Sequence, residues 1–463
     1  MSGKKLLNIF YGSIVLLLAA MLSFTGCKNA SDSGSEGVKG FASGVITAKG
    51  SIFVNGIEYD TTSSAVTVDN LSGGDSDLKV GMVVDVKGTI DTASGTGVAN
   101  EVDYASSIEG TIDSIDTVAG TLYVFGLYIT TSTTTVYENT TGLSTLSVGD
   151  RVEVSGIVNG TNVLASRIEL STDTGDYKLR GTVSSLAAGS FTLTMETGYT
   201  LIVNYTGTLD TGIVDGSEVK IEVASAPSLG EVTTTADKIE LKHELSIDDG
   251  DRVEIEGVVE NLAGTDPVTF TVRGVEISAS AALATGLANG TEVEVKGSMT
   301  SGVLTASEIS TEEDADLEIK GVVVSADAAA GTFVINGVTV YTNHDTIFYD
   351  DTAAQVPQFG VDDLASGDAL EVKLYAGESG NLIAAKVERG DPPETEAKMN
   401  GVVSAINSTY ITVNGLSIDT TPLFGNTTIR DSFLSSLTVD STVVKFTGTI
   451  SGTAVTWTQV ELD

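Results

Sequence analysis

The sequence predicts an all-β protein: six tandem small antiparallel β-barrels, OB-like or SH3-like, behind a signal peptide and a flexible tether. Three observations carry that prediction. The chain of 463 residues has 51 Gly and only 6 Pro, and Thr, Ser and Val abound, which suits many short strands joined by tight turns. One phrase, GSIFVNGIEYD at 50–60, returns at 120–130, 331–342 and 408–420, and more loosely at 268–278. The landmarks around it recur about every seventy residues, too long for a solenoid rung and right for a complete small β domain.

The N-terminus comes first. Lys4 and Lys5 make a positive region, residues 6–22 are an apolar stretch, and Phe24-Thr25-Gly26-Cys27 follows. This resembles a bacterial lipoprotein signal peptide, with Phe24 where Leu is usual. The resemblance implies cleavage after residue 26 and lipidation of Cys27, the only Cys of the chain. The alternative is an uncleaved anchor with an incidental Cys. Several acyl chains on one cysteine hold firmly, since each buried CH2 contributes about 0.8 kcal/mol. Lys28 stands where Asp would retain such a protein at the inner membrane, so the expected location is the outer membrane, facing the periplasm or the cell exterior. Residues 27–40 read as a Ser/Gly tether.

The repeated phrase is a hairpin. Asn55-Gly56 between alternating apolar runs marks a type I′ turn, which needs positive φ at both central residues. A two-residue turn pairs Val54 with Ile57, Phe53 with Glu58 and Ile52 with Tyr59. One face then carries Ile52, Val54, Ile57 and Tyr59. The same pairing collects Leu122, Val124, Leu127 and Ile129. It collects Phe270, Val272, Val275 and Ile277, then Phe333, Ile335, Val338 and Val340, then Ile411, Val413, Leu416 and Ile418. A disguised copy at 190–203 has the longer turn Glu196-Thr197-Gly198 and faces Phe191, Leu193 and Met195 toward Tyr199, Leu201 and Val203.

Other landmarks keep step. Each unit opens at a Gly: Gly44, Gly110, Gly181, Gly257, Gly321 and Gly401. A later strand carries two inward residues, such as Val84 and Val86 or Val444 and Phe446. A closing strand has Ala three residues before Ile or Val, as in Ala99 and Val102. Trp457 takes the Ala place in the last unit, as terminal repeats often differ. The units span 41–107, 108–176, 177–251, 252–316, 317–395 and 396–463, after the signal peptide 1–26 and the tether 27–40. A small closed barrel accommodates such strands, and a short β-sandwich is the alternative. Domains this small bury only about 60% of their unfolded surface, so neighbours are expected to pack together.

Gly44-Val45-Ile46, the phrase 50–57, and Leu78-Lys79-Val80-Gly81-Met82-Val83-Val84-Asp85-Val86-Lys87-Gly88 resemble a bacterial family known as domain of unknown function 5666. The first unit matches best. The third and fifth units have Val223 and Leu374 where the pattern ends its strand in Gly. The resemblance implies tandem barrels on an envelope lipoprotein and brings no catalytic residues.

Composition bounds the function. Asp and Glu number 63 against 24 Lys and Arg, a net charge of −39, which repels phosphate backbones, so nucleic acid is not an expected partner. One Cys and two His, His243 and His344, leave no Cys-rich zinc site, and no nucleophile, P-loop or zincin motif occurs. No cofactor and no enzyme activity are expected. Acid clusters at Asp248-Asp249-Gly250-Asp251 and 312–316 read as solvated linkers, with calcium as the alternative. Arg389-Gly390-Asp391, an adhesion-type tripeptide, falls in an expected linker. Tyr123 and Tyr128 pair on an outer hairpin face, a candidate stacking surface for sugar or plain sheet stabilisation. The expected role is a lipid-anchored scaffold, rod or string, presenting acidic faces to an envelope or extracellular protein or a glycan. A glycan- or calcium-binding module is the alternative.

Overall fold

A computed structural model describes residues 37–463, apart from 92–93, 160, 174, 196, 226, 228–231, 243–244, 312–314, 357 and 378–379. The signal peptide, Cys27, Lys28 and most of the tether lie outside the described residues, as do His243 and the acids at 312–314. The fold is all-β, in sheets of 13, 11 and 11 strands, with one α-helix among the described residues.

The first barrel shows how the strands close. The opening strand Val38–Lys49 pairs antiparallel with Ile52–Val54 on one edge and with Val83–Asp91 on the other. Ile52–Val54 turns into Ile57–Asp60, which runs parallel to Thr96–Tyr104. Thr96–Tyr104 returns antiparallel to Val83–Asp91 and completes the ring. Alternation turns Ile46, Ile52, Val54, Val84 and Val86 inward, and all are fully buried.

The same circuit closes in 108–170 and in 317–390. In the third unit the closing strand is split into Thr233–Thr235 and Lys238–Leu241. In the fourth the opening strand is split into Arg252–Val258 and Glu260–Gly264. Every hairpin register expected from the sequence is present, including Phe191 opposite Val203 and Leu193 opposite Leu201 in the three-residue copy.

The last unit differs. Leu416–Asp419 and Ala454–Leu462 share no ladder among the described residues. The helix Thr427–Ser436 stands where the first and fifth units run Ala65–Val68 and Ile347–Asp350 parallel to the closing strand. Asn426 caps that helix, its Oδ1 accepting from the Thr428 and Ile429 amides. Phe424 and Phe433 pack at 5.3 Å, and Trp457 covers Phe446 at 5.5 Å between ring centres.

The barrels pack on one another, and the chain order does not decide who meets whom. Val38–Lys49 pairs with its hairpin only from Ile46 to Lys49, so residues 40–43 keep a free edge. Gly40–Ser43 fill it with a parallel ladder to Arg252–Ile255 of the fourth unit. Unpaired strand edges demand such a partner, which is the physical reason a tandem array folds back on itself. The second and third units join at Glu109 and Lys178, and the fifth and sixth at Ile319–Lys320 with Lys398–Met399.

Candidate ligand cleft between the barrels

The cleft begins with the relation between turn and opening strand. Asn55 and Gly56 have φ of 51° and 76°, the left-handed pair that the I′ turn requires. Asn55 folds back over Gly44, where any Cβ would collide with its carboxamide. Its Nδ2 donates to the Ser43 carbonyl at 3.1 Å and to the Glu254 carbonyl at 2.9 Å, tying the first barrel to the fourth. Asn336 and Asn414 repeat the bond to the carbonyls of Lys320 and Asn400, each at 2.8 Å. Phe125 lies over Gly110 instead, and Arg273 over Gly257. In the third unit, with its longer turn, the described atoms nearest the Gly181 position are the Thr194 carbonyl and the Leu193 side chain.

Outward positions build the seams. Asp69 is buried where the first, second and third units meet. Its Oδ1 accepts from the Ser106 amide at 3.1 Å and from Arg180 Nη2 at 2.7 Å, and Lys178 lies 3.4 Å from Oδ2. Lys220 donates to the Asp69 carbonyl at 2.7 Å. Burial pushes the Asp69 carboxyl up, but Arg180 and Lys178 outweigh it and hold the group below its ordinary value. Glu109 stands directly opposite Glu153, a pairing that would repel without cations. Arg151 and Lys178 each reach Glu109 at 2.7 Å. Glu153 accepts from the Tyr104 hydroxyl at 2.8 Å, and burial with the nearby Asp69 charge raises its carboxyl to about 7. On the other side Arg167 donates to the Val80 carbonyl at 3.2 Å, and Lys386 to the Thr135 carbonyl at 3.0 Å, joining the first, second and fifth units.

Between these seams the first four units enclose a cleft of about 560 Å³. Phe41, Val83, Ile157 and Met195 supply apolar wall, and Arg180 and Thr197 supply polar groups. Arg180 Nε and Nη1 and Thr197 Oγ1 are buried with no hydrogen-bond partner among the described residues. The three cations among the described residues of the wall are matched: Arg180 to Asp69 at 2.7 Å, Lys242 to Glu218 at 2.7 Å and Arg273 to Asp85 at 3.7 Å. Among the described residues neither His nor Cys lines the cleft. Its chemistry is that of hydrogen bonding and apolar contact. One sequence signal pointed here: the third hairpin alone replaces its two-residue turn with Glu196-Thr197-Gly198.

The residues singled out from sequence lie elsewhere. Tyr123 and Tyr128 do pair on the outer face, ring centres 5.0 Å apart, half-buried, and neither lines the cleft. Asp251 Oδ2 accepts from the Asp248 amide at 2.9 Å, Asp249 Oδ1 from the Gly302 amide at 3.0 Å, and Asp248 pairs with Lys87 at 2.8 Å. These aspartates close a turn, and among the described residues no group of three or more His, Cys, Asp or Glu is arranged to hold a metal ion. Arg389 corrects the linker expectation. It sits in the strand Leu382–Gly390, bonds Asp350 through Nε at 3.0 Å and Nη2 at 2.9 Å, and lies over Phe359. Its side chain is 13% exposed, so the tripeptide does not present an arginine to solvent. The closing strand simply runs further than the acidic, proline-rich sequence after it suggested.

Comparison with known proteins gives a family and little else. No curated protein sequence matches the chain. One solved structure found is a deletion mutant of the single-stranded DNA binding protein from Thermus aquaticus, 17% identical, covering 30% of this chain and 82% of that one at a TM-score of 0.12. Another is a multidomain protein with nucleic acid binding domains from Streptococcus pneumoniae, 10% identical, covering 47% and 73% at 0.14. Superposition that poor supports no statement about this chain. The family model described as "Domain of unknown function (DUF5666)" matches residues 39–103, 109–169, 256–310 and 320–388, more than half of the sequence, and the chain belongs to that family.

Proposed function

We propose that this is a non-catalytic, lipid-anchored envelope protein, a scaffold of six OB-like barrels that presents acidic surfaces from the outer membrane. The observation that carries this reading is that the units repeat a fold and vary everything outside it. The outward place between the two inward residues of the fourth barrel strand is Asp85, Glu153, Lys220, Glu294, Glu371 and Lys445 in turn. A site copied for catalysis would keep its reactive groups. The OB assignment is supported by the order of the closed rings, with the third and last strands parallel.

Cys27 carries the anchor in this reading, and the residues from 27 to the opening strand Val38–Lys49, a tether shorter than the expected 27–40, set the barrels off from the membrane. The packed barrels make a compact head in place of a rod. The test is a Cys27→Ser variant with radiolabelled palmitate. The expected result is acyl label on the parent, none on the variant, and transfer of the variant to the soluble fraction. An unlabelled parent that stays in the membrane overturns the anchor. Antibody labelling of a tag placed after Asp463 on intact cells then decides which face of the membrane the head occupies. A glycan-binding role is the second reading, favoured by the donor groups in the cleft.

A further inference from the structure

We propose that the cleft among the first four barrels binds a short neutral oligosaccharide, with Arg180 and Thr197 as its anchoring hydrogen-bond donors. This rests on the cleft alone and holds whether or not the chain is lipid-anchored. At about 560 Å³ the cavity lies within the range of ligand pockets, roughly 300–1,000 Å³, and its wall is mixed, apolar side chains alternating with hydroxyl and charged groups.

Those polar groups ask for an acceptor. Arg180 cannot swing away, because Asp69 holds Nη2 at 2.7 Å and is itself fixed by Ser106 and Lys178. Nε and Nη1 are thereby held in the buried wall with no acceptor among the described residues, as is Thr197 Oγ1 on a residue only 7% exposed. Buried donors left unmatched are costly, so a ligand that offers oxygen atoms gains at each one. Charge selects the class. The three wall cations already have carboxylate partners, and the chain carries −39, so an anion meets no spare positive charge and a repulsive field. A cation offers no acceptor to the guanidinium. Hydroxyl and ring oxygens offer acceptors without charge, and the ring faces of a sugar suit Phe41 and Met195. Five-stranded barrels of this order are a recurrent platform for oligosaccharides.

The full-length chain in detergent micelles is titrated calorimetrically with maltotriose, cellobiose and chitotriose, and with glucuronate and inorganic phosphate as anionic probes. Arg180→Lys keeps a cation for Asp69 and removes the planar donors. Thr197→Val keeps the shape and removes the hydroxyl. At least one neutral sugar binds, Arg180→Lys weakens it about 10–100-fold, Thr197→Val about 3–10-fold, and Tyr123→Ala leaves it unchanged. No binding by any neutral probe overturns the proposal. So does binding indifferent to both variants, or a preference for glucuronate or phosphate. Should Arg180→Lys fail to fold, Thr197→Val decides the matter by itself.

Discussion

The inside and the outside of these barrels obey different rules. Inside, the hairpin of the fifth unit buries Phe333, Ile335, Val338 and Val340, and that of the first buries Ile52, Val54, Ile57 and Tyr59 at the matching places. Outside, matched places diverge. Glu153 faces Tyr104 of the first unit, Glu294 faces Lys296 of its own strand, and Lys220 reaches the Asp69 carbonyl. A closed barrel of this size has one way to fill its interior. Its exterior answers to whichever barrel lies against it. Repetition therefore preserves the core and frees the outer face to become a seam, a cleft wall or a solvent surface.

The two stretches that the family model passes over make the same point. The third unit has the lengthened turn beside the cleft, and the sixth has the open ring and the helix. The units that keep the shared pattern close their hairpins with a two-residue turn.

The contrast can be broken most strongly from the inside. Phe333→Ala removes a ring that is 1% exposed and should destabilise the protein by about 3–5 kcal/mol in denaturant unfolding. A loss near that for Tyr128→Ala, on the outer face, would erase the distinction.

A seam comes next. Asp69→Ala leaves Arg180 without its carboxylate, while Lys178 keeps Glu109 at 2.7 Å and is itself partly exposed. The expected cost is about 2–3 kcal/mol, below that of breaking a fully buried pair. Amide exchange should rise at Ser106 and along Tyr177–Ala187, while the hairpin Ile52–Asp60 keeps its protection. Uniform loss of protection would mean that the seam and the barrel are one unit.

Acidity sharpens the contrast further. Burial raises Glu153 and Glu294 to about 7, above their ordinary value of 4.5, so the folded state holds these protons longer than the unfolded chain. Their contribution is therefore neutral below about 4.5, grows unfavourable as pH climbs from about 4.5 to about 7, and levels off above that. Glu153→Gln and Glu294→Gln should each stabilise the protein by about 1–2 kcal/mol near pH 8, fading to nothing near pH 4.5. Melting temperatures measured across that range check the sign, and destabilisation at the alkaline end would contradict it.

The smallest effect belongs to the turn. Asn336→Gly keeps the left-handed backbone, φ 52°, and removes the 2.8 Å bond to the Lys320 carbonyl. About 1 kcal/mol should be lost in unfolding free energy. A loss under about 0.3 kcal/mol would reduce Asn336 to a backbone requirement.

The parts legible in the sequence were those set by local geometry. Asn-Gly between alternating residues admits one register, and a slip by one residue would turn every apolar side chain outward. That is why Val54 opposite Ile57 and Val413 opposite Leu416 were readable from the chain alone. The partnership of Gly40–Ser43 with Arg252–Ile255 was not, because nothing in either stretch says which edge its own hairpin leaves open. The cleft walls come from four units and follow from that packing, so Arg180 looked like any outward arginine. Arg389 was misplaced for the opposite reason: the acids and prolines after it spoke louder than the alternation that continues the strand through it.

The central claim is that outward faces hold the barrels to one another as a compact head. Small-angle X-ray scattering on the chain from residue 37 onward tests it most directly. A packed head has a radius of gyration of about 25 Å, close to the scaling for compact chains of this length. A value near 40 Å, as for about six such barrels in a row, would contradict it.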